Sequence, residues 1–232
     1  MVTVVAWPVR TVPVRMPRGS MPGQPSVQNA GTVRERESNP YPACNTVRHP
    51  TPPNDMTRLP LVNADTPGVD AELVHAVKLR RGGELLVLDR LLLHSTPVAR
   101  GWNAYLGAIR GACLLDGAIR ELAILLVARL NRAPYEFNQH EPVALREGAA
   151  PEQIAALDAW ADSPRFSARE RAVLAYAQAM TLDVQVAAPV FDALRPWFNE
   201  REIVELTATI AAYNMVSRFL EALDVRPEVR GV

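Results

Sequence analysis

The sequence predicts an all-α fold on three observations. From about residue 70 onward, apolar residues recur at the three-and-four spacing that lines one face of a helix. The patterned segments are punctuated by helix-start residues, Ser, Thr, Asp or an early proline, and several by a closing glycine. No run alternates apolar and polar residues long enough to make a strand, and no hairpin signal joins two such runs.

Each element has its own justification. Residues 70–82 form a first amphipathic helix, ended near Gly82-Gly83. Residues 84–94 make a short, strongly apolar second helix. Ser95-Thr96-Pro97 is a cap with proline at an early helical position, opening a helix through Trp102 and Leu106 to about Ala112. Asp116 caps the next, which runs to about Arg132. Pro134 opens the helix that carries Glu136 and His140, and Gly148 lies at its end. A short helix over 151–161 follows. Ser167-Ala168-Arg169-Glu170 is a capping box for a helix reaching about Leu182. Residues 187–198 make another, and the last runs over 199–223. The stretch from Thr96-Pro97-Val98 to Arg120-Glu121-Leu122 resembles that from Ala188-Pro189-Val190 to Val204-Glu205-Leu206, a hint of an internal helical repeat.

Residues 1–55 differ in kind. They hold ten of the 20 prolines and show neither periodicity, so they are expected to be a disordered extension, or the product of a translation start set upstream of Met56. Residues 56–232 are the helical domain. With 48% apolar residues the chain can build a real core, and its formal charge is zero. The six Arg against three acids in 1–55 are too few and too diffuse to argue for nucleic acid. The longest uncharged apolar run, 206–217, is half the roughly 20 residues a membrane-spanning helix needs, and no continuous signal core opens the chain. Cys44 and Cys113 are far apart with no CxxC, so neither a thiol redox pair nor a cysteine zinc site is available. A reduced, cytoplasmic protein is expected.

Chemistry concentrates at three ionisable residues. Glu121 shares its helix face with Ile124, Leu125 and Ala128, and a carboxylate on an apolar face needs a partner or a raised pKa. Glu136 and His140, four apart, lie one turn apart on a shared face, where the carboxylate would orient the ring. Neighbouring Tyr135 and Phe137 suggest that this helix is packed. In the last helix Asn214 and Arg218 are again four apart; Arg218 would either hold a substrate carboxylate or neutralise a buried acid such as Glu121. His49 and His75 read as exposed or disordered, His94 as a structural cap, and Trp102 and Trp197 as core or interface aromatics.

The run from Arg120-Glu121-Leu122 through Ala133-Pro134-Tyr135-Glu136-Phe137-Asn138-Gln139-His140 resembles the carboxymuconolactone decarboxylase family, which includes the alkyl hydroperoxidase D-like proteins; the likeness extends over most of 84–224. In the peroxidase branch the motif is CxxC followed after three residues by His, with a Glu twelve positions before the first Cys. His140 and Glu121 match the His and the Glu, while the two cysteine positions fall on Ala133 and Glu136. The chain is therefore similar to the branch without redox cysteines, whose named activity is decarboxylation of a γ-lactone dicarboxylate in aromatic catabolism. The resemblance implies an alkyl hydroperoxidase D-like helical bundle, a homotrimer or homohexamer with its site near a subunit interface, and no metal or organic cofactor.

Two functions are expected from this reading. The first is a cofactor-free lyase or related proton-transfer enzyme on a small carboxylated or lactone substrate, with Glu121, Glu136 and His140 catalytic and Tyr135, Asn214 and Arg218 binding substrate. The alternative is a non-catalytic helical oligomer in which the same three groups fix packing. Thiol peroxidase chemistry lacks the paired sulfurs it needs. An accessible pocket around the three groups favours the enzyme; a sealed, fully paired cluster favours the module.

Overall fold

The computed structural model describes residues 57–227, so the expected extension at 1–55 lies outside the described residues. The order is α1 Ala71–Arg81, α2 Val87–Leu92, α3 Thr96–Gly111, α4 Gly117–Leu130, α5 Pro134–Arg146, α6 Pro151–Ala155, a 3-10 turn Leu157–Ala159, α7 Ala168–Leu182, α8 Ala188–Asp192 and α9 Glu200–Ala222. The described residues form helices and connecting turns without a strand.

Local chemistry sets most of these ends. Asp70 and Asp116 accept the amides of Leu73 and Ile119. Ser167 pairs reciprocally with Glu170, as Asn199 does with Glu202, so amides that no helical carbonyl reaches are satisfied. α1 closes on Gly82, whose φ of 86° favours a residue without Cβ.

Three expected helices are shorter than the periodicity suggests. α2 starts at Val87 because Asp89 turns back to accept the Leu86 amide at 3.0 Å, while Arg81 holds the same carboxylate at 3.0 Å. α8 ends at Asp192 rather than near 198. Pro196 follows Arg195, and the residue before a proline is pushed out of helical backbone. Beyond α6 the chain tightens into the 3-10 turn, and the Arg171 guanidinium collects the carbonyls of Trp160, Ala161 and Ser163.

The core is organised around α4. Every residue from Ile119 to Ala128 is buried, because α5, α7 and α9 all pack on it. A helix apolar on all sides must be surrounded, and here the surrounding elements belong to its own chain. α4 and α9 do pack against each other, as the repeat suggested, but the two halves have diverged. Glu205, the counterpart of Glu121, accepts the amides of Leu114 and Leu115 at 2.7 and 3.0 Å and so caps a loop. Trp102 is buried against Phe219, their ring centroids 5.1 Å apart, whereas Trp197 is half exposed.

Candidate active site

The site is built on a helical hairpin. α4 ends where Arg132 takes a left-handed φ of 56°, which lets the Ala133 amide reach back to the Ala128 carbonyl at 2.9 Å. Pro134, whose ring presets helical φ and whose missing N–H would be unpaired anyway, then starts α5. This tight reversal lays α5 along α4 and sets His140 opposite Glu121.

The two side chains meet directly. His140 Nδ1 lies 2.6 Å from Glu121 Oε2, and Arg120 Nε donates to Glu121 Oε1 at 3.0 Å. Arg120 in turn lies 3.4 Å from Glu147. Glu121 is completely buried, Arg120 and His140 almost so. Burial alone would raise the Glu121 pKa, but the hydrogen bonds and charges of His140 and Arg120 outweigh it, and the carboxyl is held below its ordinary value. An ionised carboxylate only accepts, so the proton on the imidazole sits on Nδ1 and Nε2 carries the lone pair. Burial pulls the His140 pKa below its usual value; the contact with Glu121 opposes this, and the charges of Arg110 and Arg81 reinforce it.

Glu136 stands apart from this pair. The expectation that it orients His140 is corrected: it makes no hydrogen bond to the ring, and Glu121 does that work. Sharing a helix face brings two side chains near each other, but each found a stronger partner on another helix. Glu136 turns to α9, where Ser217 Oγ donates to its two oxygens at 3.1 Å each. Burial drives its pKa well above the ordinary carboxyl value; the Ser217 bond opposes that shift and the charge of Glu221 adds to it. Glu136 therefore keeps its proton in conditions where Glu121 has lost its own.

Both groups face open space. Glu136, His140, Tyr135 and Tyr213 line an inner pocket of about 40 Å³ whose apolar wall includes Leu88, Trp102, Leu106 and Leu220. The Tyr213 ring stands edge-on to His140, centroids 4.8 Å apart. Arg80, Arg81, Leu86, Arg110, Gln139 and His140 line this pocket and also an outer cleft of about 500 Å³. The cleft has the size of a small-molecule site, and the inner pocket holds little more than one functional group of a ligand. Among the described residues, no group of three or more His, Cys, Asp or Glu side chains is placed to hold a metal ion. No helix among them is long and apolar enough to cross a membrane.

The remaining expected site residues separate. Tyr135 lines the inner pocket, but Asn214 and Arg218 line neither space. Arg218 bonds to the Asn214 side chain and carbonyl at 2.7 and 2.9 Å, and Asn214 reaches Asn131 and Thr181 at 3.0 Å each. Their assignment as substrate-binding residues is corrected: they tie α9 to α4 and α7. His94 does serve structurally, its Nε2 2.7 Å from the Pro60 carbonyl, and His75 is exposed. The arginines at the pocket mouth and Ser217 are the functional candidates that the sequence reading missed.

Residues 96–179 match the model of the carboxymuconolactone decarboxylase family, a span that holds Glu121, Glu136 and His140. The protein YnjA of Escherichia coli (strain K12) is 33% identical over 116 residues, 48% of this chain and 62% of that protein, so the chain spans less than two thirds of this relative. An uncharacterized peroxidase-related protein from Silicibacter sp. TM1040 superposes with a TM-score of 0.66 at 20% identity, covering 77% of this chain and 95% of that one. The debrominase Bmp8 superposes with a TM-score of 0.62 at 20% identity, over 75% and 92% of the two chains. At such identities these two likenesses establish a shared fold.

Proposed function

The chain belongs to the carboxymuconolactone decarboxylase family through residues 96–179, and on that premise we propose that it is a cofactor-free acid–base enzyme, decarboxylase-like, acting on a small carboxylated or lactone substrate. One observation carries the reading. An imidazole fixed by a buried carboxylate and a second, buried carboxyl line the same small pocket, and burial lowers the pKa of the first while raising that of the second. Two titratable groups whose surroundings push their pKa values apart supply a base and an acid at one pH. His140 Nε2 takes the proton of the substrate's carboxyl group. The resulting carboxylate leaves as carbon dioxide, the electron pair of the broken C–C bond collects on the neighbouring unsaturated carbon–oxygen system, and the Glu136 carboxyl delivers the proton that quenches it. His140 then gives its proton to solvent and solvent reprotonates Glu136, so both groups return to their starting states. The Bmp8 likeness adds that this fold also serves a debrominase.

The test is turnover of a panel of lactone dicarboxylates and β-keto acids, followed by carbon dioxide release. His140→Gln is expected to slow turnover at least ~100-fold. Full activity in a Glu136→Gln/His140→Gln double variant would reject the proposal. The pH profile of kcat/KM should lose activity on the acid side below the ordinary imidazole value of 6.5, because protonation of His140 is disfavoured, and on the alkaline side as Glu136 ionises. An acid limb at or above pH 6.5 contradicts the assignment of His140 as base.

Self-association belongs to the same proposal. The apolar surface of α4 is consumed inside the chain, whereas Val98 and Tyr105 of α3, Leu114 after it, and Val204 and Met215 of α9 are exposed. Tyr105 contacts the Ala208 carbonyl and Leu114 bonds to Glu205, which joins the outer faces of the two helices. Such a patch suits a homotrimer or homohexamer. Sedimentation of a single species of one-chain mass at micromolar concentration would reject it.

A further inference from the structure

Glu147 sits where an acid is out of place. It is the C-cap residue of α5, and the negative end of a helix dipole disfavours a carboxylate there. Two residues of α4 account for its position. Gly117, the first residue of α4, leaves a notch that the Glu147 side chain fills, so that a Cβ at Gly117 would overlap the Glu147 carboxylate. The carboxylate thereby lies over the positive end of α4, and Arg120 Nη2 is 3.4 Å from its Oε1. The same edge of the guanidinium serves Glu121, whose Oε1 accepts from Arg120 Nε at 3.0 Å. Nε and Nη2 together form the fork with which an arginine grips both oxygens of one carboxylate. Here the fork is divided between two carboxylates, and Glu121 Oε2 is left to His140 Nδ1 at 2.6 Å.

We propose that Glu147 is a positioning residue: by occupying Arg120 Nη2 it keeps Arg120 from closing on both oxygens of Glu121, and so reserves Glu121 Oε2 for His140. Glu147 lines neither the pocket nor the cleft, so it acts on the ring through Arg120 and Glu121 rather than through the substrate. The chain Glu147, Arg120, Glu121, His140 runs from a side chain 42% exposed to a buried ring, and the ring's tautomer is thereby set from the protein surface. A half-exposed ion pair contributes little to stability, which separates positioning from holding the fold. Losing the pair changes the ring and leaves the melting temperature nearly where it was. This inference rests on reading His140 as the base, but the tautomer tests it separately from turnover.

The experiment is nitrogen NMR of the full chain labelled at histidine, with the His140 resonances identified by their loss in His140→Gln. In the parent the ring should hold its proton on Nδ1. Glu147→Ala frees Arg120 Nη2 to join Nε on Glu121, and the form protonated on Nε2 should then reach at least about a fifth of the His140 population. Gly117→Ala should do the same without removing a charge, because its methyl group displaces the Glu147 carboxylate. It also carries the test should Glu147→Ala fail to fold. Gly117 has helical backbone, where alanine is favoured, so Gly117→Ala should melt at or above the parent temperature even as the ring changes. On any substrate of the panel that turns over, both variants should lower kcat about tenfold with KM unmoved. A ring that keeps its proton on Nδ1 in either folded variant would overturn the proposal, as would a loss carried by KM alone. If the tautomer holds in the variants while His140→Gln still abolishes turnover, the acid–base reading stands without Glu147. If the tautomer shifts while His140→Gln turns over normally, the positioning stands and the acid–base reading falls.

Discussion

Glutamine in place of Glu121 is expected to leave a folded protein that turns over about 1,000- to 10,000-fold more slowly, because the substitution inverts the histidine tautomer. The glutamate carboxylate accepts from two donors at once, Arg120 Nε at 3.0 Å and His140 Nδ1 at 2.6 Å. A glutamine has one acceptor oxygen. The Arg120 guanidinium can only donate and claims that oxygen, which points the amide NH₂ at His140. The imidazole must then accept on Nδ1 and carry its proton on Nε2, where the proposed reaction needs a lone pair. Nitrogen chemical shifts of His140 report this exchange directly, whatever the substrate. The stability loss should be modest for so buried a site, about 1–3 kcal/mol, because the amide preserves shape and Arg120 retains Glu147 at 3.4 Å. It should also depend on pH. A carboxyl whose folded pKa is depressed stabilises above the ordinary value of 4.5 and loses that contribution as pH falls through the folded value. The melting gap between parent and variant is therefore widest near neutrality and closes in acid. Parent-like turnover with parent-like melting would show that Glu121 neither positions the ring nor holds the fold.

That prediction joins two roles that sequence reasoning kept apart. An acid among Ile124, Leu125 and Ala128 announces a partner, but not which one. Its arginine proved to be the adjacent Arg120 rather than Arg218. The one-turn spacing of Glu136 and His140 put both on one face of the helix, and both side chains are buried. It could not show that each would bond outward, to Ser217 and Glu121, because helical spacing describes one element and these partners come from two others.

Caps, proline starts and helical spacing made the all-α architecture legible before any contact was known. What they could not convey was the overall packing. α4 looks like an interface helix in sequence because its apolar circumference exceeds one face, and only the arrangement of α5, α7 and α9 around it shows that the chain covers it alone. The pocket arginines were hidden for an ordinary reason: Arg80 and Arg81 sit in the last turn of α1, where basic residues suit the helix dipole and draw no notice. Arg110 was the readable one. It follows Trp102 and Leu106 at intervals of four, so it shares a face with two buried apolar residues, the same incongruity that singled out Glu121. Ser217, buried near Tyr213 and Leu220, carried that signal too.

Glu136→Gln should give the opposite balance, a protein more stable than its parent and at least about 100-fold less active. Glu136 is 1% exposed and, among the described residues, has no cation paired with it, its side-chain bonds coming from the Ser217 hydroxyl. Burial raises its folded pKa well above 4.5, whereas in the unfolded chain it ionises normally. A carboxyl shifted in that direction contributes fully below the unfolded value and loses that contribution as pH rises toward the folded one. The parent therefore carries a penalty at neutral and alkaline pH that an amide, which never ionises, does not. Glutamine can still accept from Ser217, so the packing of α5 on α9 survives. The expected gain is about 0.5–2 kcal/mol at pH 8, the range common when a functional group that strains the fold is removed. It should vanish below pH 4.5, where both side chains are neutral. Melting curves of the two proteins across that range decide the matter. A variant less stable than the parent at pH 8 would mean that Glu136 is held as a carboxylate and cannot be the acid. Undiminished turnover in the variant would remove it from the reaction, and His140 would then have to both take and return the proton.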